Sequence, residues 1–182
     1  PILRATVTYI IQATGDLLIN VNGKTDLIEN IPRLGIIFEM PKENEKFTYF
    51  GLGPMESYCD KHHAASHGYF SSTIWQQHED YIRPQENGSH YDCDYVQLDG
   101  AGIKLTAVGA KPFCFNASHY TQEELTEKAH NYELHPCGST VLCLDYAQNG
   151  IGSASCGPRL AEQYRLDDAS FDFSIRLIPE KA

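Results

Sequence analysis

Apolar and polar residues alternate along most of this chain with a period of two, the spacing of a strand that turns one face to a core. The plainest case lies near the end, where Phe171, Phe173, Ile175 and Leu177 alternate with Asp172, Ser174 and Arg176 in a strand predicted over residues 170–178. Residues 5–12 read the same way, with Thr6, Thr8 and Ile10 on one face and Val7, Tyr9 and Ile11 on the other. The turn Ala13-Thr14-Gly15-Asp16 brings residues 17–21 back as a hairpin closed by Asn22-Gly23, and residues 26–30 form a connector. Further strands are predicted over residues 34–40, 46–50, 90–98, 102–108, 140–146 and 159–164, with Asp99-Gly100 as a hairpin turn. Residues 113–118 alternate large apolar side chains with small or polar ones.

The alternation fails over residues 61–78, which read as a polar, partly exposed loop with Trp75, the single tryptophan, packed beneath it. One short helix is predicted from Thr121-Gln122-Glu123-Glu124 to about His130. There the Thr121 hydroxyl accepts the N–H of Glu124 while that carboxylate reaches back, a capping box. About ten strands, one helix and no βαβ rhythm predict an all-β antiparallel sandwich.

Three glycine- and proline-bearing loops interrupt the strands. The first follows Tyr49-Phe50-Gly51-Leu52-Gly53-Pro54 and carries Glu56, Tyr58 and Asp60; the second is Pro84-Gln85-Glu86-Asn87-Gly88; the third is Gly150-Ile151-Gly152-Ser153-Ala154-Ser155-Cys156-Gly157-Pro158. Glycoside cleavage needs two carboxylates at a set separation, one of them raised in pKa. Glu56, Asp60 and Glu86 are the loop carboxylates, but spacing in sequence does not fix the distance between any two, and each reads equally as a solvated charge. Cys156 is the best-placed thiol, without a nameable histidine partner. Gly150-x-Gly152 lacks the Lys-Ser/Thr and the strand-to-helix setting of a phosphate cradle. His62, His63 and His67 invite a metal reading, but adjacent histidines on an extended chain point to opposite sides, and an exposed polar loop is the preferred reading.

Composition narrows the partners. With 14 Lys plus Arg against 24 Asp plus Glu, a net charge of −10 repels nucleic-acid backbones and anionic lipid. No apolar run approaches the roughly 20 residues of a membrane-spanning helix. At 182 residues the chain suits one domain over residues 1–182. It begins at Pro1, without Met, and reads as a piece of something longer. Six cysteines show no C-x-x-C pair; Cys114 and Cys143 fall inside apolar strands as buried thiols, and a reducing, cytoplasmic setting is expected.

In order along the chain, Ile31-Pro32-Arg33-Leu34-Gly35, the run from Tyr49 through Glu56-Ser57-Tyr58-Cys59-Asp60-Lys61, Pro84-Gln85-Glu86-Asn87-Gly88, and the third loop resemble the C-terminal domain of bacterial β-galactosidases of glycoside hydrolase family 2. The segment 113–120 and the helix after Thr121 fit the same domain. The resemblance implies a large antiparallel supersandwich like that of galactose mutarotases, at the end of a multidomain retaining enzyme. It implies no catalytic residue here, since the acid/base and nucleophile glutamates belong to a separate (β/α)₈ barrel. Mg²⁺ and Na⁺ assist that barrel, and no cofactor is implied in this chain. The barrel, the β-galactoside substrate and a homo-oligomeric parent are the implied partners. The third loop is implied to reach the rim of the active-site pocket, with Cys156, Ser155 and Glu86 facing substrate. Cys156 stands where the family pattern has a tryptophan platform, and a thiol cannot stack on a sugar as an indole does. Two other classes stay open: a free-standing mutarotase-like epimerase using His63, His119 and Glu86 as acid–base groups, and a carbohydrate-binding module. Apolar surface left bare by a missing barrel would favour self-association.

Overall fold

The period-two stretches become nine antiparallel strands in one branched sheet in the computed structural model, which describes residues 3–26 and 31–181. The strands are β1 (Leu3–Ile11), β2 (Leu17–Thr25), β3 (Arg33–Pro41), β4 (Lys46–Gly53), β5 (Ser66–Thr73), β6 (His90–Gly100), β7 (Ile103–Ser118), β8 (Ser139–Gln148) and β9 (Ser170–Lys181). Two short helices, α1 (Ile74–Gln77) and α2 (Gln122–Glu127), lie between them. The main order is β1-β2-β9-β7-β6-β4-β5, and β8 with β3 branches from the far half of β7.

The branch is made by one strand changing partners. β6 runs beside both halves of β7. On the other side of β7, residues from Ile103 to Gly109 pair with β9, whereas Cys114 to Ser118 pair with β8. Pro112 sits between the two sets; having no N–H to give to a ladder, it suits the point where one partner is dropped and another taken up.

Both arms feed one core. Ile19, Phe173, Ile175 and Leu177 come from β2 and β9, Met40, Leu142 and Leu144 from β3 and β8, and Phe47, Tyr49, Val96, Leu98, Phe113 and Phe115 from the shared strands. Burying one such side chain is worth about 1.5–3 kcal/mol. Aromatic edges lock the centre: the Phe115 ring lies 5.6 Å from Phe47 and 5.2 Å from Tyr49, both edge-on. His90 stacks in the same group, 4.2 Å from Tyr49, and burial drives its pKa down to about 4, so it packs as a neutral ring.

The alternation in β9 holds residue for residue, and Cys114 and Cys143 are buried as thiols. Other expectations are corrected. Asn22-Gly23 is no turn but lies inside β2, paired with Thr6 and Ala5; the β1–β2 hairpin closes only through residues 12–16. Residues 61–78 are not one loop: β5 pairs with β4 along all eight of its residues, and α1 follows. A backbone ladder imposed by a neighbour fixes β5 even though its sequence offers little apolar alternation. Trp75 sits on α1, 46% exposed, against the ring of His119 and not beneath a loop. α2 ends at Glu127; Thr121 caps the Glu124 N–H at 3.2 Å, but the Glu124 carboxylate accepts the His135 N–H instead of reaching back. The reciprocal box occurs at α1, between Thr73 and Gln76. Residues 159–164 hold a single 3-10 turn, Glu162–Tyr164, and no strand. Of the connector at residues 26–30, positions 27–30 lie outside the described residues.

Candidate functional site

β4 runs three residues further than its pattern predicts and stops at Gly53, where the chain passes through a cis peptide bond into Pro54. Only glycine fits there, because a Cβ would lie 2.0 Å from the buried Tyr49 hydroxyl. The chain then folds back under residues 78–89. Ser57 N–H donates to the Ser89 carbonyl at 2.8 Å, and the Ser57 hydroxyl both donates to Leu52 O and accepts Tyr91 N–H, at 2.9 Å each. Tyr58 accepts the Ser89 N–H on its hydroxyl at 3.2 Å, and the Cys59 thiol donates to Gln148 O at 3.3 Å.

Glu56 is the centre of this first network. Its side chain is 2% exposed and accepts the Gly88 N–H at 2.7 Å, the Lys61 ammonium and the Tyr81 hydroxyl. Partial desolvation would lower the Lys61 pKa, but the bonds to Glu56 and Tyr81 outweigh it and leave the ammonium raised.

A second network gathers on Arg33 at the start of β3. Its guanidinium takes Asp145 through Nε at 3.3 Å and Nη2 at 2.5 Å, and Glu86 through Nη1 at 2.8 Å. Gln148 donates to Asp145 at 3.0 Å, and Asn116 donates to Glu86 at 3.1 Å. Burial pushes Glu86 up to about 7; Arg33 opposes the rise and the Asp145 charge adds to it. Burial likewise raises Asp145 against the pull of Arg33. Two carboxylates on one arginine, one with a pKa near 7, have the outline of an acid–base pair, but Asp145 is 1% exposed and both its oxygens are bonded within the protein. A sugar cannot reach it. The sequence reading passes over Asp145, although a charged residue inside the apolar run 140–146 is a placement that calls for a buried cation.

The third network holds the glycine-rich loop. One oxygen of Asp60 accepts Gly152 N–H at 3.1 Å, Ser153 N–H at 3.0 Å and the Ser153 hydroxyl at 2.8 Å; the other takes Ile151 N–H at 3.0 Å. Successive amides converging on an oxygen form an anion nest. Partial burial would raise Asp60, but these donors prevail and hold it below the usual carboxylate range. The next anchor is Asn149, which donates to Ile31 O at 2.6 Å and accepts Leu166 N–H at 2.7 Å.

Between the first loop and the third lies a groove of about 490 Å³, lined among others by Met55, Lys61, His62, His63, Leu160 and Tyr164. Ser155 and Cys156 stand exposed on the outer turn of the third loop, the Ser155 hydroxyl donating to Gly152 O at 2.6 Å. Glu86 keeps 30% of its side chain open to solvent beside Arg33. The three epimerase candidates have separate partners: His63 is exposed on the groove, His119 is buried against Glu45, and Glu86 is held by Arg33. Among the described residues, no three His, Cys, Asp or Glu side chains gather as a metal-holding group.

The family model for the β-galactosidase small chain matches residues 1–177. β-Galactosidases of Actinobacillus pleuropneumoniae, Staphylococcus xylosus and Kluyveromyces lactis are 44%, 39% and 35% identical over 99%, 97% and 81% of this chain. The matched stretch is 18%, 18% and 14% of their respective lengths, so the chain spans less than a fifth of these curated relatives. The chain belongs to the β-galactosidase small-chain family.

Proposed function

We propose that this chain works as one part of a longer retaining β-galactosidase that hydrolyses terminal β-D-galactosides such as lactose, and that it supplies a wall of the active site and not the cutting groups. The observation that carries the reading is the match over residues 1–177 together with relatives more than five times as long. The carboxylates described above support it, since Glu56, Asp60 and Asp145 each spend their oxygens on internal donors. The third loop, with Ser155 and Cys156, meets the substrate at the pocket rim, and Glu86 is the carboxylate that faces substrate with them. The catalytic barrel is the neighbour that covers this face. The Mg²⁺ and Na⁺ of the family belong to that barrel, and the assembled enzyme is a homo-oligomer of the cytoplasm, where unbridged thiols persist.

β1 supports a missing neighbour. All nine of its residues are exposed, and Leu3, Val7, Tyr9, Ile10 and Ile11 are among them. An uncovered apolar edge strand invites pairing with other chain.

The test compares the purified 182-residue chain with the longer protein that contains it, on an aryl β-galactoside and on lactose. Turnover is expected from the longer protein alone. Turnover by the isolated chain, free of host enzyme, overturns the reading.

A further inference from the structure

We infer that Asp60 is a positioning residue for the substrate rim: its carboxylate sets the shape of the 150–158 loop, and through it the placement of Ser155 and Cys156. The inference rests on the reading that this loop meets substrate, and adds to it the residue that holds the loop in place.

The geometry is one-sided. The outer turn of the loop, residues 152–158, is exposed throughout and contributes nothing to the core. The loop's own bonds are few: Ala154 N–H to Pro158 O at 3.1 Å and the Ser155 hydroxyl to Gly152 O. Its link to the body at the leading edge is Asp60, which receives three consecutive backbone amides and one hydroxyl from residues 151–153. Asp60 is itself fixed, since the Tyr58–Lys61 backbone pair closes the turn that carries it. The loop is shaped to accept it. Gly150 has φ of +79°, and a Cβ there would come within 2.4 Å of the Asp60 carboxyl carbon. An amide nest of this kind needs an anion, and Asp60 supplies one from the protein. Asp60 touches no reacting atom, so its influence on catalysis passes through the loop.

Three variants separate this role from general stability: Asp60→Ala, which removes every acceptor; Asp60→Asn, which keeps the shape but turns an amide nitrogen towards the donors; and Gly150→Ala, which attacks the same contact from the loop side. Amide hydrogen exchange at residues 151–153 in the 182-residue chain reads the positioning directly. All three variants should exchange there about tenfold faster or more, with the β-sheet amides unchanged. In the longer protein, KM for lactose should rise and the split between transfer to sugar acceptors and hydrolysis should shift by roughly 3- to 10-fold. kcat on an activated aryl galactoside should change by less than about 3-fold. Unchanged exchange at residues 151–153 overturns the positioning role, whatever the kinetics do. Faster exchange with unchanged KM and transfer ratio overturns the link to substrate, and with it the rim reading. Should Asp60→Ala fail to fold, Asp60→Asn and Gly150→Ala carry the same two readouts.

Discussion

Two carboxylates on one loop, Glu56 and Asp60, are used in opposite ways. The turn through Glu56 is sunk into the protein, where a 2%-exposed carboxylate is neutralised by an ammonium and joined to the Arg33 network through residues 86–89. Four residues later Asp60 reaches outward and gathers the amides of an exposed loop. The buried network fixes the body, and the outer one fixes a surface that the body does not need. Their carboxylates diverge accordingly: Glu86 is raised because burial dominates, and Asp60 is lowered because its donors dominate.

The hardest blow to this contrast is Arg33→Ala. It strands Asp145 and Glu86 without their cation, and removing one member of a buried pair costs about 4 kcal/mol. Urea unfolding should show it; a loss under about 1 kcal/mol would mean that the inner network does not hold the body. The next effect is a pH slope. A carboxylate with a raised folded pKa contributes stability that is complete below the usual carboxylate range and is lost as pH rises through about 7. Unfolding free energy should therefore fall by roughly 2 kcal/mol from pH 5 to pH 8 through Glu86, and Glu86→Gln should flatten that fall in a difference curve against the parent chain. Asp60 acts in the other direction: its contribution is present above the usual carboxylate range and disappears only as the solution becomes strongly acidic. The smallest effect is expected at Cys156→Ala, within about 0.5 kcal/mol, because the thiol is exposed on the outer turn. A larger cost by thermal unfolding would make the third loop part of the body and erase the distinction.

Much of the body was legible in the sequence. The alternation at 171–177 and the buried thiols at Cys114 and Cys143 are local consequences of one strand facing a core. The loops around Glu56, Glu86 and Asp60 were legible as places of interest, because glycine and proline mark where strands stop. What escaped was set by distant partners. Ser66–Thr73 is a strand because β4 offers a ladder, and Asn22-Gly23, a turn signal in isolation, is straightened by β1 on one side and β9 on the other. The pairing of Arg33 with Asp145 spans 112 positions, and that of Asp60 with Ser153 spans 93. No periodicity encodes such separations.

The change of partners along β7 has a mechanical consequence. A strand that serves β9 with one half and β8 with the other is a common hinge pin for both arms, so neither arm can peel away without loosening the strand that the other depends on. The protein should therefore melt as one cooperative unit, and a cut between residues 109 and 114 should undo both arms together.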